Sequence, residues 1–117
     1  MSAEALALVA IGGFFAAILR FLLTHNDAGF PWRTLAINIA GSFALGLILA
    51  GIEPTGIWRD LLVIGFCGTL TTFSSFAWQA VALAGGRRRL EALAYLGATT
   101  AFTVLGGWLG MALGHQL

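Results

Sequence analysis

At 117 residues and about 12.3 kDa the chain has room for one ordinary domain. Hydrophobic residues make up 59% of it and charged residues 9%, where soluble globular chains carry roughly 25% charged residues; six basic and five acidic side chains cannot cover the surface of a soluble fold this small. A water-soluble domain is excluded, a net charge of +1 argues against a nucleic-acid partner, and the single cysteine, Cys67, allows no intrachain disulfide.

The charges mark where the chain leaves a bilayer. They stand at Glu4, Arg20, Asp27, Arg33, Glu53, Arg59, Asp60, Arg87, Arg88, Arg89 and Glu91, and the uncharged runs between them cover 5–19, 34–52, 61–86 and 92–117. A spanning helix needs roughly 20 mostly apolar residues. Four transmembrane helices are therefore predicted, over about 3–24, 32–52, 58–84 and 90–115, in a single all-α membrane domain. A β-barrel is disfavoured, because its strands alternate apolar and polar residues and these runs do not.

The first run reaches spanning length only with Arg20 inside the helix or at its end. Its start, Met1-Ser2-Ala3-Glu4, lacks the basic region of a signal peptide, so it is read as a helix. Gly12 with Ala16, or Gly13 with Ala17, places small residues four apart, as close helix packing in lipid requires. The second run carries a similar small stripe at Ala36, Ala40 and Ala44. On another face Thr34, Asn38 and Ser42 recur at i, i+4, i+8. Polar groups at membrane depth are functional candidates, since each needs a partner there. Spacing alone leaves Asn38 two readings, an interhelical bond that holds the bundle or an amide donor on an ion path.

The third run contains Gly65-Phe66-Cys67-Gly68-Thr69-Leu70-Thr71-Thr72-Phe73-Ser74-Ser75-Phe76, rich in glycine and hydroxyls at its centre. Glycine and side chains that compete for backbone hydrogen bonds favour a break in the helix here. A break at mid-membrane exposes carbonyls and amides from which ion sites are built, and it is tolerated only where protein or a cavity surrounds it. Phe73 and Phe76 follow at i, i+3. They read either as packing residues or as ring edges whose positive rim faces an anion. The fourth run repeats the polar stripe with Tyr95, Thr99 and Thr103, and places Gly106, Gly110 and Gly114 four apart. Thr100 faces elsewhere and is expected to bond its own i−4 carbonyl. Donors without a mid-membrane acid lean towards an anion.

Arginines orient the spans. Arg33 and the cluster Arg87, Arg88, Arg89 lie in the first and third turns, whereas the opposite side carries only Arg59. The positive-inside rule puts those turns in the cytoplasm and both termini outside, with the cluster as a topology anchor rather than a ligand site.

These pieces together resemble the small CrcB/Fluc fluoride channels along nearly the whole chain. The resemblance rests on Gly12-Gly13 with Arg20, Thr34-Leu35 with Asn38-Ile39-Ala40-Gly41-Ser42, Gly65-Phe66-Cys67-Gly68 with Thr71-Thr72-Phe73-Ser74-Ser75-Phe76, and Tyr95 with its hydroxyl neighbours, in that order. It implies an antiparallel, dual-topology dimer in a bacterial cell (inner) membrane, with two pathways that export cytoplasmic fluoride passively. It also implies that Asn38 donates to fluoride with Thr34 one turn away, and that Phe73 and Phe76 offer ring edges. Tyr95, Thr99 and Thr103 continue the polar track, and Arg20 stands at the pathway's mouth. Backbone carbonyls of Gly68 and Thr69 would hold a structural sodium ion at the dimer centre. Ser75 stands where the family motif has a second threonine, Thr99 where a serine is common, and Gln79 where a glutamate is frequent. The arginine bias departs from dual topology, so the partner is either a second copy of the chain or a paralogue of opposite orientation.

Three other classes fit less well. A proton-coupled multidrug transporter needs a carboxylate inside the membrane, and all five acids lie at run ends. A purely structural assembly protein leaves the hydroxyl-rich stretch unexplained. An intramembrane enzyme would need a histidine or acid at depth to activate Cys67 or a serine.

Overall fold

The computed structural model describes residues 2–25, 29–53, 55–71 and 73–117, with Ser74 described by its backbone alone. Asp27, Thr72 and the Ser74 side chain, all singled out in the sequence, lie outside the described residues. Among those described there are helices and turns but no strands. Four helical stretches are long and apolar enough to cross a membrane: Ala3–Thr24, Trp32–Ile52, Arg59–Gly85 and Arg89–Gly114. The chain is a multi-pass membrane protein.

Helix α1 (Ala3–Thr24) starts where the Ser2 hydroxyl accepts a hydrogen bond from the Ala5 amide, satisfying one of the open N-terminal donors. Its phenylalanines at 14, 15 and 21 point outward and are exposed, as suits side chains whose solvent is lipid. Helix α2 (Trp32–Leu47) runs on as a π-helical turn over Ile48–Ile52. It stops at Glu53, whose left-handed backbone (φ 50°) turns the chain back while its amide bonds the Ile48 carbonyl. The third stretch begins with nine π-helical residues, Arg59–Cys67, a form that normally appears as single-turn bulges. A short helix α3 (Gly68–Leu70) follows, then Thr71 with extended backbone (φ −76°, ψ 140°), then α4 (Phe73–Gly85). Arg87, at φ 63°, reverses the chain into α5 (Arg89–Gly114).

Two helix pairs organise the subunit. α1 lies along Arg59–Cys67, and α2 lies along α5, with α4 packed on α5. Glycine sets both distances. A methyl group on Gly12 would overlap the Leu61 carbonyl and come within 2.9 Å of the Phe66 amide. One on Gly110 would overlap the Phe43 carbonyl and lie 3.0 Å from the Leu47 amide. Such close backbone approach replaces the hydrophobic drive that lipid removes.

The structure separates the candidate small-residue stripes. Gly12 and Ala16 are buried, whereas Ala17 is exposed, so the first of the two registers on α1 is the packed one. On α2 the alanine stripe is not the seam: Ala36 and Ala40 are exposed. The seam is instead the face of Ile39, Phe43 and Gly46, which meets Gly106, Gly110 and Met111 of α5. A small residue marks close packing only where a partner helix has arrived.

Candidate functional site

On α2 the four-residue spacing brings Thr34 and Asn38 to one buried face, and Ser42 follows half-buried. On α5 the same spacing buries Tyr95 and Thr99 and half-buries Thr103. Because α2 and α5 pack side by side, the two stripes meet. A cavity of about 300 Å³ opens between them, its wall including Asn38, Thr71, Phe73, Phe76, Thr99 and the aliphatic Val104, with Ser42, Thr100 and Thr103 beside them. Among the described residues, none of those lining the cavity carries a charged side chain.

The hydroxyls in it are not alike. Thr103 Oγ1 donates to the Thr99 carbonyl at 2.5 Å, and Thr100 Oγ1 donates to the Leu96 carbonyl at 2.9 Å. These are back-bonds within the helix, and the i−4 bond expected of Thr100 is present, although Thr100 also reaches the cavity wall. Thr71 Oγ1 bonds the Cys67 carbonyl at 3.1 Å, beside the same carbonyl's 3.2 Å bond from its own amide. Thr99 differs. It is 6% exposed, and its hydroxyl oxygen is buried without a hydrogen-bond partner. An unsatisfied buried hydroxyl costs roughly 1–3 kcal/mol, so its presence at a largely apolar cavity asks for an explanation.

The two phenylalanines meet edge to face, with ring centroids 5.7 Å apart and planes at 64°. Phe76 is half-buried and continues to Tyr95 at 5.2 Å. Phe73 stands 78% exposed on the outside of the subunit, where it also borders an apolar groove with Phe76, Ala77, Ala80 and Val81. The cavity is open, and Phe73 borders both it and this groove.

Tyr95 is fully buried, held by Phe30 (5.6 Å, 81°) and by Phe76. Its hydroxyl donates to Gln79 Oε1 at 2.9 Å, and Gln79 Nε2 donates to Thr34 Oγ1 at 3.1 Å. Sequence reasoning noted Gln79 only as a departure from a glutamate. The available signal was its uncharged amide on a spanning helix, the same reason that singled out Asn38.

Arg20 lies half-buried near the end of α1 and donates from a guanidinium nitrogen to the Thr69 carbonyl at 3.0 Å. It lines neither the 300 Å³ cavity nor the Gln79 bridge. Gly68 and Thr69, the two candidate carbonyls, are consecutive residues of α3.

Residues 7–111 match the family described as CrcB-like protein, Camphor Resistance (CrcB). The fluoride-specific ion channel FluC 2 of Bacillus cereus is 46% identical over 112 residues, covering 92% of this chain and 94% of the relative. The fluoride-specific ion channel FluC of Xylella fastidiosa is 41% identical over 120 residues, covering 95% and 84%. That of Rhodospirillum rubrum is 39% identical over 113 residues, covering 87% and 88%. With two membrane-buried polar stripes meeting in an acid-free cavity, and with this likeness over nearly its whole length, the chain belongs to the CrcB-like protein family.

Proposed function

We propose that the chain is a subunit of a passive fluoride channel that releases cytoplasmic fluoride across the cell membrane. The observation that carries the reading is the unpartnered Thr99 hydroxyl, buried beside a cavity that Asn38, Phe73 and Phe76 also line. A small anion leaves water only if donors replace its hydration shell. Asn38 supplies an amide, Thr99 a hydroxyl with no competing bond, and Phe73 and Phe76 the positive rims of their rings. Among the described residues no acid lines the cavity, so no fixed negative charge there opposes an anion.

The cavity's open side supports a second copy in antiparallel orientation. Phe73, so exposed in one subunit, would then close the path of its neighbour. A paralogue in place of the second copy is supported by the excess of arginine in the first and third turns, which on the positive-inside rule fixes one orientation. Thr34, Asn38, Phe73, Phe76, Tyr95, Thr99 and Thr103 form the pathway in this reading. The extended Thr71 backbone supports a helix break at mid-membrane, which lines the cavity as such breaks must.

A structural sodium ion at Gly68 and Thr69 has weaker support. The Thr69 carbonyl already accepts the Arg20 guanidinium. A carbonyl has a second lone pair, but a unit positive charge about 3 Å away opposes another cation. Sodium at these carbonyls would compete with Arg20 at Thr69, and no step of permeation is assigned to it. Arg20 at the pathway's mouth rests on the family resemblance alone.

The test is fluoride efflux from liposomes holding this chain alone, read by a fluoride electrode with chloride as the control. Fluoride loss with chloride retained supports a self-sufficient channel. No efflux from folded protein, restored by a co-reconstituted paralogue, supports the heterodimer; no efflux in either case overturns the reading. Thr99→Val separates pathway from packing. Removing an unsatisfied hydroxyl leaves the fold as stable as before or more so. Efflux should nevertheless fall roughly tenfold, as loss of a hydrogen bond to a charged partner implies. Phe76→Ile should likewise slow efflux several-fold without changing the assembly's size, because it keeps apolar bulk and removes the ring edge; unaltered throughput would return Phe76 to packing.

A further inference from the structure

We propose that Gln79 is a positioning residue for the mouth of the polar track, fastening Thr34 of α2 to Tyr95 of α5 without introducing a charge. The inference rests on the reading of Thr34 and Tyr95 as pathway residues.

Three helices converge on this one side chain. Its amide nitrogen donates to Thr34 Oγ1 at 3.1 Å and its carbonyl oxygen accepts from the Tyr95 hydroxyl at 2.9 Å. Both partners are almost wholly buried, and Gln79 is half-buried between them. An amide has a donor end and an acceptor end fixed in one plane and carries no charge at any working pH. It therefore sets the directions of two hydroxyls on different helices at once, which neither stripe achieves alone. The other face of Gln79 borders a cavity of about 350 Å³ shared with Gly29, Pro31, Trp78 and Arg88. This places the bridge between an outer chamber and the buried stripes.

The charges around the bridge are few. Arg88 lines the outer chamber and is ion-paired with Glu91. Among the described residues Tyr95 of α5 and Thr34 of α2 bond Gln79, and Arg33 in the same turn of α2 is exposed. A neutral amide here adds nothing that titrates between pH 5.5 and 8. A glutamate would. It loses its proton as pH rises, and the ionised form accepts from both hydroxyls and repels an incoming anion.

The experiment compares wild type, Gln79→Leu, Gln79→Glu and Tyr95→Phe in the fluoride-efflux assay between pH 5.5 and 8, against protein-free vesicles at each pH. Wild-type efflux should be flat with pH. Gln79→Leu should be roughly tenfold slower at every pH, from the loss of two hydrogen bonds. Gln79→Glu should conduct with a rate that falls at least about threefold from pH 5.5 to 8, as ionisation adds charge at the mouth. The double variant Gln79→Leu with Tyr95→Phe should be no slower than the slower single variant, because the two act through one contact. A Gln79→Glu chain whose efflux is as flat as wild type overturns the proposal, as does wild-type efflux from Gln79→Leu. Wild-type efflux from Tyr95→Phe would instead remove Tyr95 from the pathway, which is failure of the underlying reading. If Gln79→Leu does not fold, the pH profile of Gln79→Glu decides alone.

Discussion

Asn38→Asp should abolish fluoride efflux, slowing it about a thousandfold at pH 7.5 while the protein stays folded. The substitution keeps the shape of a side chain that is only 5% exposed and exchanges an amide donor for a negative charge. Two unit charges about 4 Å apart repel by about 4 kcal/mol at an effective dielectric constant near 20, which is close to three powers of ten in rate. The sign can be checked with pH. Acidification neutralises an aspartate, so efflux should partly recover as pH falls, relative to protein-free vesicles. Undiminished efflux at pH 7.5 would take Asn38 off the pathway and leave it as an interhelical tie.

Gly110→Ala should prevent assembly altogether, an effect larger than removing a large side chain from a lipid-facing position. The added methyl would overlap the Phe43 carbonyl oxygen and approach the Leu47 amide to 3.0 Å. Both are backbone atoms of α2, which no rotamer change can move aside. Overpacking typically costs about 1–3 kcal/mol even where side chains can yield, and here α2 and α5 must separate. Their separation also parts the two polar stripes, so activity fails with packing. Gly97→Ala on the same helix is the control, because a methyl there meets nothing within 4 Å. Size-exclusion profiles of the two variants in detergent should differ, with a single sharp peak for Gly97→Ala and aggregate or no yield for Gly110→Ala. Equal profiles would show that the α2–α5 seam tolerates more room than the structure gives it.

Both predictions combine information that the chain carries locally with information that appears only on folding. Thr34 and Asn38 are one helical turn apart, so their common face follows from the 3.6-residue period whatever surrounds the helix. The same holds for Tyr95 and Thr99. That the two faces turn towards each other is not periodicity but packing, and the packing is decided at Gly46, Gly106 and Gly110. The alanine stripe of α2 shows the limit of pattern reading. Ala36, Ala40 and Ala44 carry the same small-residue signal as the glycines of α5, yet the α5 backbone settles against Ile39 and Phe43 instead. Spacing gives a face, not its partner.

Contacts between distant residues were beyond pattern altogether. Gln79 is 45 residues from Thr34 and 16 from Tyr95, and Arg20 is 49 from Thr69. No helical period relates such positions, so the occupied carbonyl emerges only when α1 and α3 are docked, and the amide bridge only when α2, α4 and α5 are. The unpartnered state of Thr99 is likewise a tertiary fact. Thr99, Thr100 and Thr103 are chemically the same side chain, and only their surroundings and rotamers decide which hydroxyl turns back to its own helix.

By itself the sequence determined that this protein lies in a membrane, because eleven charged residues cannot clothe a soluble surface and the gaps between them match the thickness of a bilayer. It likewise determined the four helical stretches and the polar face on each of two of them, since backbone hydrogen bonds in lipid must be satisfied within the segment and side chains then follow the helical period. Only the tertiary structure decided which small residues form the seam, which hydroxyl is left unpaired, and which side chain ties the stripes together. Those depend on distances between segments remote in the chain, set by backbone contact at a few glycines, and no local pattern encodes them.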